Sequence, residues 1–115
     1  NSDNGTITLK YDNGSLGVIN YFSNGHKSYS KERIEIYQSG KNIIIDNFKK
    51  INFFGYNNPS QNNYQDKGHY NQFKNWNSFL VNGGEPLIEF ESLYNTTMAS
   101  FCAVQSIKSC NWINV

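Results

Sequence analysis

The sequence predicts an α+β fold: an antiparallel β-meander sheet of about five strands, with two C-terminal helices packed on one face. Three observations predict it. The first half alternates apolar and polar residues, tight-turn residues punctuate that alternation, and the second half switches to helical spacing. At 115 residues the chain suits one domain with a single core, so residues 1–115 are expected to form one domain.

The elements follow in order. Thr6 to Tyr11 puts Ile7, Leu9 and Tyr11 on one face, the pattern of a half-buried strand. Asp12-Asn13-Gly14-Ser15 follows, with Asn-Gly supplying the positive φ angles of a tight hairpin turn. Leu16 to Phe22 is the returning strand, and Ser23 to Lys27 a second, polar loop. From Lys31 to Tyr37 the chain alternates again, Ile34 and Ile36 facing one way and Arg33, Glu35 and Tyr37 the other. Gln38-Ser39-Gly40-Lys41 turns it into Asn42 to Asp46, and Asp46-Asn47 turns it once more into Lys50 to Phe54. The Asn-rich segment from Tyr56 to Tyr64, which contains Pro59, reads as a loop between the sheet half and the helical half.

From Gly68 to Val81, Phe73, Trp76 and Leu80 recur at helical spacing, and Gly83-Gly84 stops that helix. Pro86 to Ile88 is a short extended link. A second helix is expected from about Glu91 to Ser109, burying Leu93, Tyr94, Phe101, Val104 and Ile107. Phe73, Trp76 and Phe101 are expected in the core, while Trp112 could pack in an interface. Helices on one face leave the other free for solvent or another protein.

Ten basic and nine acidic side chains nearly cancel, and Lys49-Lys50 is the only adjacent basic pair. Nucleic-acid binding needs clustered Lys and Arg, so no nucleic-acid partner is expected. No apolar run approaches the roughly 20 residues needed to cross a bilayer as a helix, and no membrane partner is expected. Asn1 to Asn4 shows no signal-peptide pattern. The sole methionine is Met98, and the expectation is a piece of a longer protein. Cys102 and Cys110 are eight residues apart, about 12 Å along a helix, so they could bridge only if the helix ended early. Two thiols without a matching His pair make no zinc site, and a reducing cytoplasm is the expected setting. Of the sequons, Asn95 lies in the second helix, which disfavours its use.

No cofactor fingerprint or phosphate-binding loop occurs, and no Ser, His and Asp arrangement stands out. His69 begins the first helix. It could stand near a substrate as acid, base or donor, or it could cap the helix or meet Asp66. His26 and Lys27 fall in a hairpin loop and read as solvated. Lys31-Glu32-Arg33 alternates in charge at a strand edge, which suits an exposed face with cross-strand pairing, or a contact to an acidic substrate group.

Three stretches carry a family resemblance. Asn24-Gly25-His26-Lys27-Ser28-Tyr29-Ser30-Lys31-Glu32-Arg33-Ile34-Glu35-Ile36-Tyr37 resembles the G-x-K-S-x-x-K-E-R-I-E-V-F stretch in the C-terminal part of certain Gfo/Idh/MocA oxidoreductases. Gln65-Asp66-Lys67-Gly68-His69 is similar to their Q-D-K-G-H element, and Phe79 to Phe101 to their more widely shared ending. The resemblance covers nearly the whole chain. It implies the C-terminal substrate-side and oligomerisation domain of an NAD(P)-dependent dehydrogenase, whose N-terminal Rossmann domain is the missing partner. It further implies NAD or NADP in the parent protein and none in this fragment, no catalytic or metal-binding residue here, and homo-oligomers through the open sheet face. Lys31, Arg33, Lys67 and His69 match conspicuous polar positions of the family pattern and are the substrate-proximal candidates. A carbohydrate-binding or adhesion module is the alternative; it would need exposed aromatic rings.

Overall fold

A computed structural model describes residues 3–115. The chain is α+β, with antiparallel strands followed by two helices. Its elements are β1 (Asn4–Lys10), β2 (Leu16–Phe22), β3 (Arg33–Gln38), β4 (Lys41–Asp46), β5 (Lys50–Phe54), β6 (Gln61–Asn62), α1 (His69–Asn82) and α2 (Phe90–Ser109). They divide into two compact units, residues Asn1–Gly25 with Asn75–Val115, and residues His26–Lys74.

The expected meander of five strands is present but not as one sheet. β1 and β2 form a two-stranded hairpin, and β3, β4, β5 and β6 form a separate four-stranded sheet in that order. The ten polar and turn-forming residues from Ser23 to Glu32 separate β2 from β3, too long and too irregular a connection to set a hairpin register. The sixth strand lies inside the segment read as a loop: Gln61 and Asn62 pair with Ile51 and Lys50. Two polar residues carry no alternation, so periodicity could not reveal them.

The first turn also differs in kind. Only Gly14 takes a positive φ, at 84°. Its N–H donates to the Tyr11 carbonyl, and the Tyr11 N–H donates to the Ser15 carbonyl at 3.0 Å. This is a three-residue loop with glycine at the left-handed position rather than a two-residue turn. The β3–β4 turn is the two-residue form, with Ser39 at 48° and Gly40 at 73°. In the larger sheet the register aligns Ile34, Ile45 and Ile51, and Ile36, Ile43 and Phe53. One face is therefore apolar; the other carries Arg33, Glu35, Tyr37, Asn42 and Asp46, together with Ile44 opposite Glu35 and Phe54 opposite Asn42.

The helices begin and end within a residue or so of expectation, and Asn95 lies inside α2. Within the first unit α2 flanks β1: Ile7, Leu9, Ala99, Cys102, Ala103 and Ile113 line a shared cleft of about 110 Å³. The packed side of α2 is not the expected one. Ala99, Cys102, Ala103 and Ser106 form its covered stripe, and Cys102, at 9% exposure, is the sole buried hydrophobic residue among those described. Leu93, Tyr94, Phe101, Val104 and Ile107 all face outward. Phe73 and Trp76 of α1 are exposed too, Trp76 at 53%, against the expectation of core positions. Periodicity locates an apolar stripe but does not say what covers it. Ile34 and Ile36 likewise keep 40% and 45% exposure on the apolar face of the larger sheet.

Accessible surface gives the scale of this openness. Two separate compact bodies of these lengths would together expose about 7,700 Å² by the usual scaling with mass. The chain exposes 10364 Å². With both tryptophans exposed, we expect acrylamide to quench the emission of the chain almost as fully as that of free tryptophan. A strongly protected emission would mean that the rings are covered.

Candidate functional site

Three segments of the second unit converge on one corner of the four-stranded sheet: the approach to β3, the β4–β5 turn, and the link into α1. The turn is the unusual part. Asn47 and Phe48 both take left-handed backbone, at φ 52° and 51°, and the Lys49 N–H donates to the Asp46 carbonyl at 2.9 Å. Asn tolerates that conformation, but for a bulky residue such as Phe it costs of order 1–3 kcal/mol and persists only where neighbours hold it.

The neighbours are the other two segments. The Asn47 N–H donates to the Glu32 carbonyl at 2.7 Å, and the Asp66 N–H donates to the Phe48 carbonyl at 3.2 Å. Gln65 Nε2 donates to both the carbonyl and Oδ1 of Asn47, at 2.9 and 2.8 Å. Lys67 Nζ pairs with Glu32 Oε1 at 2.5 Å across 35 residues of sequence. Ser30 Oγ donates to Asp46 Oδ1, tying the approach to β3 onto the end of β4. Asp66 Oδ1 accepts the Gly68 N–H at 2.7 Å, which shapes the entry to α1.

Glu32 is left with an unmet valence. Its Oε2 is buried and finds no hydrogen-bond partner among the described residues, while Oε1 is held by Lys67. The corner can therefore accept one more hydrogen-bond donor. Beside it Lys49, Asn62, Asn63, Tyr64 and Asp66 border a shallow, open concavity of about 700 Å³. Its walls offer amide, carboxylate and ammonium groups and a phenol ring, which suit a polar ligand.

Along β3 a second group forms on the polar face. Arg33 Nε and the Tyr37 hydroxyl both donate to Glu35, each at 2.5 Å, to separate carboxylate oxygens. Tyr37 first, and Arg33 second, stabilise the ionised carboxylate, so Glu35 titrates below the ordinary carboxylate range. The same carboxylate raises the Tyr37 phenol and the Arg33 guanidinium above their ordinary values. The Arg33 and Glu35 side chains are about half and one-third exposed and Tyr37 is exposed, so solvent screens these effects.

The structure thus separates the four candidate residues. Lys67 belongs to the corner. Arg33 pairs along its own strand with Glu35 instead of across the sheet, although Asp46 lies opposite it. The side chains of Lys31 and His69 enter no hydrogen bond or ion pair among the described residues. Asp66, not His69, makes the polar contact at the start of α1. His26 is exposed, with Nδ1 2.8 Å from Ser28 Oγ. Sequence reasoning missed Asn47 and Gln65. The Asp46-Asn47 turn was visible, but nothing in either segment announces that the two meet.

Cys102 and Cys110 are both free thiols. Among the described residues no group of three His, Cys, Asp or Glu side chains is placed to hold a metal ion, and no helix is long and apolar enough to cross a membrane. Comparison with known proteins returns no match to a family model, a curated sequence or a solved structure.

We expect two outcomes. Gln65→Ala removes both bonds to Asn47 and should lower unfolding free energy by about 1–2 kcal/mol in urea titration; an unchanged midpoint would show that the turn needs no such support. Tyr37→Phe should move the NMR titration of Glu35 upward, towards its ordinary value of 4.5. The sign follows from linkage: a lowered carboxylate contributes stability above its unfolded value, lost as pH falls through the folded one. The variant should therefore show a weaker loss of stability on acidification.

Proposed function

We propose that this chain is the substrate-side and oligomerisation domain of an NAD(P)-dependent oxidoreductase resembling the Gfo/Idh/MocA enzymes, acting on a sugar, a polyol or a nucleotide-linked sugar. The observation that carries this reading is the Lys67–Glu32 ion pair. The two stretches with the more specific resemblance, one around Lys31-Glu32-Arg33 and one around Gln65-Asp66-Lys67, join in one hydrogen-bonded corner beside a polar concavity. In this reading the corner frames one side of a substrate pocket. A Rossmann domain outside this chain holds NAD or NADP and the reacting groups, and this chain alone catalyses nothing. The face expected to stay open is the polar one, with the helices over the apolar one. Because Ile34 and Ile36 stay exposed, another subunit docks on the apolar face instead, and two free thiols suit a cytoplasmic setting.

One observation favours a second reading, a carbohydrate-binding or adhesion module: aromatic rings stand exposed, Tyr64 at 96%. Sugar sites use such rings as stacking platforms. Two measurements separate the readings. Titrating NADH fluorescence with the chain should give no change, and tight binding would overturn the dehydrogenase-domain reading. A glycan array with clear hits, lost on Tyr64→Ala, would replace it with the second.

A further inference from the structure

β2 is an unprotected edge among the described residues. It has one hydrogen-bonded neighbour, β1, and no second one among the described residues. Natural edge strands are blunted by charges, proline or bulges. The free edge of β3 follows that practice with Arg33 and Glu35, whereas Leu16-Gly17-Val18-Ile19-Asn20-Tyr21-Phe22 carries no charge and no proline. Leu16, Val18, Ile19, Tyr21 and Phe22 are all exposed.

The hydrogen-bonding phase of that edge follows from the two ends of the hairpin. The Tyr11 N–H donates to the Ser15 carbonyl at one end, and the Ser23 N–H to the Asp3 carbonyl at the other. In an antiparallel ladder, bonded and non-bonded pairs alternate. Hence Gly17, Ile19 and Tyr21 spend their backbone groups on Leu9, Ile7 and Gly5. The N–H and C=O groups of Leu16, Val18, Asn20 and Phe22 point away from the hairpin.

We propose that β2 pairs antiparallel with β2 of a second copy of this chain, about a two-fold axis through Ile19. This register sets Val18 opposite Asn20 and Leu16 opposite Phe22, so all four outward residues exchange their backbone bonds. Moving the axis by one residue leaves either Phe22 or Leu16 without a strand partner. The side chains fit the same register. Gly17, the smallest, faces Tyr21 of the second copy, and Tyr11 of its own chain already flanks the glycine at 3.6 Å from its side-chain position. An aromatic ring across from a strand glycine is a favourable pairing. Ile19 meets its own copy on the axis. Leu16, Val18, Ile19, Tyr21 and Phe22 are each more than half exposed, so the strand brings its own apolar area to the pairing. This pairing is independent of docking through the apolar face of the larger sheet.

The test places charge on the axis. Sedimentation velocity would be run on a chain carrying Ile36→Lys, which disables the apolar face of the larger sheet. That chain should sediment at twice the monomer mass. Adding Ile19→Lys, or separately Ile19→Glu, sets like charges opposite each other and should return each to monomer. Mixing the two should restore the doubled mass, which a merely misfolded variant could not do. A monomeric Ile36→Lys chain, dimers that persist in either charged variant, or a mixture that stays monomeric would each overturn the proposal.

Discussion

The second unit depends on holding two consecutive residues in left-handed backbone. Asn47 and Phe48 make the β4–β5 turn, and their conformation fixes where β5 begins and which face its residues take. A slip of one residue there would turn Ile51 and Phe53 to the polar side. The chain prevents it by bonding the turn from two sides, through Glu32 before β3 and through Gln65 and Asp66 after β6. Of the residues that read as functional candidates, Lys67 alone is bound into this corner, through Glu32, which also holds the turn. Any binding role of this corner rests on a part of the fold that cannot easily move.

The ion pair and the turn contribute differently. Lys67 and Glu32 are each about one-third exposed, and a pair in that setting is worth at most about 1 kcal/mol. The backbone and amide bonds to Asn47 do more to fix geometry, because they stand against the strain of Phe48. Lys67 instead sets the charge of the corner. It neutralises one carboxylate oxygen and leaves the other as an acceptor directed at whatever lies beside it.

Most of the secondary structure was legible because it rests on local rules. Alternation located β1 to β5, the glycine pair ended α1, and both helices fall within a residue or so of their predicted limits. What was illegible is non-local. The ten residues from Ser23 to Glu32 do not say that β2 and β3 part company, and Gln61 and Asn62 carry no apolar mark of a strand. Helical spacing in α2 picked out Leu93, Phe101 and Val104, yet the side laid against its own chain is Ala99, Cys102, Ala103 and Ser106. The site was half legible. Lys67 and Arg33 could be named as polar positions, but the partners Glu32 and Glu35, and the role of Gln65, depend on which segments the fold brings together.

The reversed helix has a thermodynamic corollary. Side chains as small as those facing β1 let backbone come close, but they withdraw little apolar area from water, while the bulky rings and branched residues lie on the far side. Burial of roughly 25 cal/mol per Å² that would ordinarily secure a domain can then be realised only when something else covers α2. Folding and assembly become linked by mass action, so that the melting temperature of such a chain should climb with its own concentration or that of its partner.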